Sequence, residues 1–295
     1  MVFIFNQIYC QILVDCKNCQ QVIQTFLTYV FLKKCLMKLN IKKYGTDGPA
    51  VLVLHGLLGS SQNWHSAATK LSKKFQILVP DQRNHGDSPH GTHTIQRLSE
   101  DALNLLDQQN IDKTFLIGHS MGGLAAMSFS FKNPQRLKGL IVVDIAPVSQ
   151  MDRMDWIFEA LAAVDLSAVK QRQHAEEQLA INISSPLVRQ FLLQNLKRQE
   201  DGTYAWRCNL PELHIFIQKD TGFELKESDQ YEGPTLFIGG GRSEHRIAEK
   251  EELIARHFPD YQLTMIPNAG HWVHFEAMEE FITTVTDFIS GKPRE

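Results

Sequence analysis

One stretch, residues 114–127, restricts the folds open to this chain more than any other. The apolar run Phe115-Leu116-Ile117 meets Gly118-His119-Ser120-Met121-Gly122, and Gly123-Leu124-Ala125-Ala126 follows with helical character. A serine placed between a buried strand and a helix sits on a tight, strained turn. Side chains at Gly118 or Gly122 would strike the neighbouring strand or helix. The G-x-S-x-G spacing, with a strand before it and a helix after, holds the Ser120 hydroxyl clear of the sheet at the positive end of the helix. There the backbone N–H of Met121 can face a developing oxyanion. That context separates the motif from a chance five-residue match in a loop.

The rest of the chain supplies a sheet for this turn to stand on. Val51-Leu52-Val53-Leu54 is a continuous apolar run, as expected of a strand buried on both faces of a parallel sheet. Further strands are predicted at 38–44, 75–79, 140–143, 235–238 and 262–266. Helices are predicted at 60–71 (capped by Ser60-Ser61), 94–109, 244–257 and 276–289. Alternation at these lengths predicts an α/β fold with a mostly parallel central sheet, right-handed crossovers and flanking helices. The rhythm breaks after Ala146-Pro147. Residues 148–231 carry helical patterns at 156–164, 174–180 and 185–196 and no buried strand, which predicts a helical lid over the carboxyl edge of the sheet. The core is then 37–147 together with 232–295.

The first 36 residues differ in character. Asn6, Gln7, Gln11, Asp15 and Lys17 interrupt every apolar run, so neither a signal peptide nor a membrane span fits. This segment reads as an amino-terminal extension outside the fold. Cys10, Cys16, Cys19 and Cys35 all lie in it, and only Cys208 lies beyond. A disulfide framework would be spread through the fold it staples, so the distribution predicts a reducing, cytoplasmic setting. Cys16-Lys-Asn-Cys19 has no second C-x-x-C or histidine pair nearby to complete a zinc site, so no metal is expected there. A net charge of −3 gives no footing for nucleic acid or an anionic membrane.

A serine nucleophile needs a base, because its hydroxyl is almost wholly protonated at neutral pH. Among twelve histidines, His271 follows the final strand in a loop that can hang over Ser120. Its neighbour His274 is expected to pack against the last helix. The base needs a carboxylate to fix its tautomer. Asp144, at the end of the strand after the elbow helix, is one candidate. The loop Gly239-Gly-Gly-Arg-Ser243-Glu244 offers the other, Glu244, which is expected in the first turn of the next helix. The order Ser120, Asp144, His271 favours Asp144. A second oxyanion donor is expected from the Leu57 N–H after His55-Gly56, with His55 a structural hydrogen-bonding residue. Asp81 and Arg83-Asn84-His85-Gly86-Asp87-Ser88 read as a polar loop whose internal ion pairing shapes the site floor.

These stretches carry a resemblance. His55-Gly-Leu-Leu-Gly59, Asp81-Gln-Arg-Asn-His-Gly-Asp-Ser88, Gly118-His-Ser-Met-Gly-Gly123, Val143-Asp-Ile-Ala-Pro147 and Gly270-His271 resemble the α/β-hydrolase family. Within it they closely resemble the small bacterial esterases of the YbfF type. The resemblance covers the chain from Met37 onward. It implies a triad acid after the strand that follows the elbow helix, which supports Asp144. It also implies hydrolysis of short- to medium-chain acyl esters or acyl-CoA thioesters with no cofactor. A carbon–carbon bond hydrolase would use the same machinery with a different pocket, whereas serine at position 120 disfavours an aspartate-nucleophile dehalogenase or epoxide hydrolase. A non-catalytic binding protein on the same scaffold is the alternative from another class. Trp156, Phe158, Phe191 and Trp206 in the lid are expected to line an apolar acyl pocket.

Overall fold

The strands that surround Ser120 are short apolar segments whose alternate side chains pack on opposite faces of one sheet. Val51 and Val53 join Ile77, Val79, Ile117, Ile141, Val143, Leu236 and Ile238 in one hydrophobic cluster. Leu52, Leu54, Leu116 and Leu140 are equally buried and alternate with them on the opposite face. Burial on both sides explains why these strands read as unbroken apolar runs. The computed structural model describes residues 37–148, 154–219 and 223–291. The predicted extension and its Cys16–Cys19 pair lie outside the described residues, and the unit Lys38–Glu295 holds all that follows.

In chain order the strands are β1 (Ile41–Tyr44), β2 (Ala50–Leu54), β3 (Gln76–Pro80), β4 (Thr114–His119), β5 (Leu137–Val143), β6 (Leu196–Arg198), β7 (Tyr204–Trp206), β8 (Thr235–Gly240) and β9 (Tyr261–Ile266). Among the described residues the main sheet has the order β1-β3-β2-β4-β5-β8-β9. Only the β1–β3 pairing within it is antiparallel. From β2 the chain builds outward to β3, then jumps back across β2 to β4 and continues the other way. The order therefore reverses between β2 and β4. Ligand crevices in open α/β sheets form at such a reversal, outside the carboxyl ends of the strands. Gly56-Leu57 and Ser120 stand there.

The core helices are α1 (His65–Leu71), α2 (Ile95–Gln108) and α3 (Met121–Lys132). The insertion between β5 and β8 carries α4 (Asp155–Ala162), α5 (Arg172–Leu179), α6 (Pro186–Leu193) and α7 (Leu210–Gln218). After β8 come α8 (Glu251–His257), α9 (Val273–Glu276) and α10 (Met278–Ile289). Ala67, Ala68 and Leu71 of α1 and Phe281, Val285 and Ile289 of α10 close one face of the sheet over Val51 and its cluster. Each of the larger side chains, Leu71, Phe281, Val285 and Ile289, contributes about 1.5–3 kcal/mol on leaving water. Helix α2 packs against α3. Helix α3 is buried nearly all round, from Met121 to Ser130, which explains its run of glycine and alanine.

Three expectations need correction. The insertion is not purely helical, because β6 and β7 form an antiparallel hairpin with Leu196 opposite Trp206. The helix predicted from residue 244 starts later, with a 3-10 turn at Ile247–Lys250 and then α8. Arg246 has φ 43° and ψ 50°, and a left-handed residue ends any helix that would run through it. Glu244 therefore lies in a turn before the helix. The last predicted helix, 276–289, starts two residues later as α10, and the separate short α9 precedes it. Among the described residues, no helix is long and apolar enough to cross a membrane.

Candidate active site

Steric demands at the elbow match the two glycines. A Cβ at Gly118 would sit 2.3 Å from the Gly122 carbonyl oxygen, and one at Gly122 would sit 2.3 Å from that of Leu54. Ser120 itself takes φ 53° and ψ −120°, a conformation costing about 1–3 kcal/mol for a residue with a side chain. The surroundings hold it there. Its N–H donates to Val143 O at 3.0 Å, and its carbonyl accepts from Gly123 and Leu124 at 2.7 and 3.1 Å. The first N–H groups of α3 have no intrahelical acceptor by construction, so Met121 can donate outward beside the hydroxyl.

Asp144 follows β5 and is fully buried, also with a positive φ of 52°. Its N–H donates to Ile238 O at 2.8 Å, which pins the turn to β8. Three donors converge on the carboxylate. Gly240 N–H donates to Oδ1 at 2.9 Å, the Ser243 hydroxyl donates to Oδ2, and His271 Nδ1 lies 2.8 Å from Oδ2. An ionised carboxylate only accepts, so this contact places the His271 proton on Nδ1 and leaves Nε2 as the acceptor. Of the two acids considered, the structure brings Asp144 to the imidazole.

A ring of further histidines frames His271. Nε2 of His119 donates to the His271 carbonyl at 2.9 Å, and the two rings lie 4.6 Å apart. Burial pushes the His119 imidazole well below its ordinary range, and the neighbouring His271 and His274 act the same way. His274 stacks on Trp64 with ring centroids 4.2 Å apart and meets Phe281 of α10 edge-on, the packing role expected of it. Its pKa is pushed down to about 3, chiefly by burial. On the cavity side His245 stacks on His271 at 4.5 Å. His119 and His245 were not singled out from sequence, and Ser243 was set aside there because a serine cannot replace a carboxylate. The histidine beside the serine and the Ser243-Glu244-His245 cluster were the available signals.

The floor is a polar layer with fixed tautomers. His55 Nε2 accepts from Gln82 N–H at 3.0 Å, so its Nδ1–H donates to Gly56 O at 2.8 Å. In the same way His85 Nε2 accepts from Leu58 N–H at 3.1 Å, while Nδ1–H donates to Arg83 O at 2.9 Å. Burial pushes both imidazoles down, which keeps these tautomers neutral. Leu58 takes φ 57°, and its carbonyl accepts from Asn195 Nδ2 of the insertion at 2.7 Å. The loop after β2, which carries Leu57, is thus held from below and above.

Burial pushes the Asp81 carboxyl up. The N–H groups of Asp87 and Ser61 and the Asn40 amide outweigh it, and the net displacement is downward. Arg83 pairs with Asp101 of α2 through two contacts of 2.6 and 2.7 Å, both side chains being buried. The ion pair thus runs from the loop to a helix and is not confined to the loop.

Ser120 and His271 share one cavity of about 460 Å³. Its apolar walls are Leu57, Leu58 and Trp64 of the core, Met154, Trp156, Ile157, Val188, Phe191 and Leu192 of the insertion, and Trp272. Arg242, Ser243, Glu244 and His245 line it near His271. Trp156 and Phe191 stand where the sequence placed them. Phe158 is instead buried, stacked on His214, and Trp206 belongs to the hairpin.

Comparisons with known proteins identify the fold family. The alpha/beta hydrolase fold family profile matches residues 49–277. A mouse protein named sn-1-specific diacylglycerol lipase ABHD11 is 36% identical over 82% of this chain and 81% of its own length. Esterase YbfF of Escherichia coli is 34% identical over 86% of this chain and 100% of its own. Among solved structures, a marine microorganism esterase superposes with a TM-score of 0.81 at 36% identity, covering 85% of this chain and 99% of that one. With the elbow, the strand order and the family profile in agreement, this chain belongs to the α/β-hydrolase fold family.

Proposed function

We propose that the chain is a serine carboxylesterase that hydrolyses short- to medium-chain acyl esters through an acyl-enzyme intermediate. The observation that carries the reading is the line from cavity to carboxylate. Ser120 and His271 line one apolar cavity, and Asp144 Oδ2 stands 2.8 Å behind His271 Nδ1. In this reading Ser120 Oγ attacks the ester carbonyl and His271 Nε2 takes its proton. Asp144 holds the Nδ1–H tautomer and stabilises the imidazolium. The N–H groups of Leu57 and Met121 receive the oxyanion. Collapse of the tetrahedral adduct breaks the ester C–O bond, and the leaving alcohol takes the proton from His271. Water then attacks the acyl-Ser120 with His271 as base, releasing the carboxylic acid and the free serine.

A volume of about 460 Å³ falls within the range of small-molecule sites, roughly 300–1,000 Å³. The insertion supplies Trp156, Ile157, Val188 and Phe191 to the acyl side, so residues 148–231 serve as the lid and set chain-length preference. Cys208 is a buried free thiol with its pKa pushed up to about 12 by burial, consistent with an inert cysteine in a reducing cytoplasm. Reaction with a fluorophosphonate, followed by peptide mass mapping, tests the activated serine. The adduct is expected on the peptide carrying Ser120, and an unlabelled native protein would contradict the reading. A p-nitrophenyl ester series from acetyl to dodecanoyl then locates the chain-length optimum.

One observation favours a second substrate class. The mouse relative is named a diacylglycerol lipase, so the chain is also proposed to accept glycerolipid esters. Comparing kcat/KM for dispersed diacylglycerol and for p-nitrophenyl butyrate decides between the two.

A further inference from the structure

We propose that Asp144, His245 and His271 form a binding site for a divalent transition-metal ion of the zinc class, and that its occupancy blocks hydrolysis. One ligand atom from each residue can be chosen so that all three lie within 4.8 Å of one another. A four-coordinate ion with bonds of about 2.0–2.2 Å holds its ligand atoms roughly 3.5 Å apart, so the three side chains must draw together around it on binding. The donors are two imidazoles and one carboxylate. That set suits zinc and its neighbours, whereas magnesium and calcium favour oxygen alone. Three protein ligands leave the fourth position to water, as in sites that remain open to exchange.

His245 is what distinguishes this cluster from an acid–base pair alone. A serine, a histidine and an aspartate suffice for acyl transfer, and that chemistry asks nothing of a third imidazole. Yet the His245 ring stacks on His271 at 4.5 Å with 29° between planes. Its position is fixed from the backbone, because its N–H donates to Ser243 Oγ at 3.2 Å and the left-handed Arg246 follows. Supports around the other two ligands are of the kind that orient metal ligands. Ser243 and Gly240 donate to the Asp144 carboxylate, and His119 Nε2 donates to the His271 carbonyl. Entry is through the cavity, whose lining includes both His245 and His271.

The consequence follows from which nitrogen the ion takes. Asp144 meets His271 at Nδ1, so an ion held by both residues sits on Nδ1. It moves the ring proton to Nε2, the atom that would take the Ser120 proton, and separates the ring from Asp144. The base is lost and no bond in the substrate is touched. The inhibitory half of the proposal rests on His271 being the base, and the binding half does not.

Titration of tag-free, full-length protein with zinc chloride tests both halves. Calorimetry on the wild type, His245→Phe and Ser120→Ala measures binding, with melting temperatures confirming that each variant is folded. Phenylalanine keeps a ring against His271 and removes the ligand. The expected result is one tight site in the wild type and in Ser120→Ala, weakened ~10-fold or more in His245→Phe. The zinc concentration that halves p-nitrophenyl acetate hydrolysis, each protein measured against its own metal-free rate, rises by the same factor in His245→Phe. Equal zinc affinity in the wild type and His245→Phe overturns the site. Binding that depends on His245 but leaves the rate intact keeps the site and contradicts His271 as the base.

Discussion

The Ser243 hydroxyl donates to Oδ2 of Asp144, the same carboxylate oxygen that meets His271 Nδ1 at 2.8 Å. A serine that cannot replace a carboxylate thus serves to aim one. If Ser243 acts through Asp144, its loss misorients the acid without disturbing substrate binding. Ser243→Ala is expected to lower kcat ~10- to 100-fold, on the scale of one hydrogen bond to a charged group, with little change in KM. Ser243→Thr, which keeps the hydroxyl, should recover most of the rate. An unchanged kcat in Ser243→Ala would show that the remaining donor, Gly240 N–H, is enough.

The identity of the acid has its own test. Asp144→Asn should fold and lose ~10²- to 10⁴-fold in kcat, because an amide can hold the wrong imidazole tautomer. Glu244 lines the cavity from a turn, and Glu244→Gln should cost about tenfold or less. One chromogenic ester measured with both variants decides the matter. A crippled Glu244→Gln beside an active Asp144→Asn would transfer the role.

Stability should fall on acidification through the buried histidines. His93 and His274 are pushed down to about 3, in both cases mainly by burial, and His55, His85 and His119 are displaced in the same direction. Their unfolded counterparts titrate near about 6.5. Between those two limits the unfolded chain binds more protons than the folded one. Stability is therefore full above about pH 6.5 and is lost as pH falls toward about 3. Each such group contributes a slope of up to about 1.4 kcal/mol per pH unit. Denaturant midpoints measured from about pH 7.5 down to about pH 5 should fall steadily, and less steeply in His274→Phe. A flat profile in the wild type would contradict neutral burial of these rings.

Much of this was legible in the chain because the signals were local. The apolar runs at β2, β4, β5 and β8, the two elbow glycines and the loop position of His271 each carry their reason within a few residues. Asp144 was reachable because it closes a buried strand. Its partners were not, since they depend on pairing between β5 and β8. The register Val143 opposite Ile238 is what brings Gly240 and Ser243 to the carboxylate.

The β6–β7 hairpin was missed for a different reason. Its strands are three residues each and only Leu196 is buried, too short to show a period of two. Asp201-Gly202 was a usable turn signal between them, and Gly202 does take φ 87°. The late start of α8 depends on the left-handed Arg246, an arginine that gives no warning of that conformation.

The ester hydrolysis proposed for the cavity depends on Ser120 being the nucleophile, and the kcat/KM of Ser120→Ala toward p-nitrophenyl acetate measures that directly. The variant should fold like the wild type and lose ~10³-fold or more, as when a member of a serine–histidine–aspartate triad is removed. A folded Ser120→Ala that hydrolyses the ester at a kcat/KM near the wild-type value would contradict the assignment.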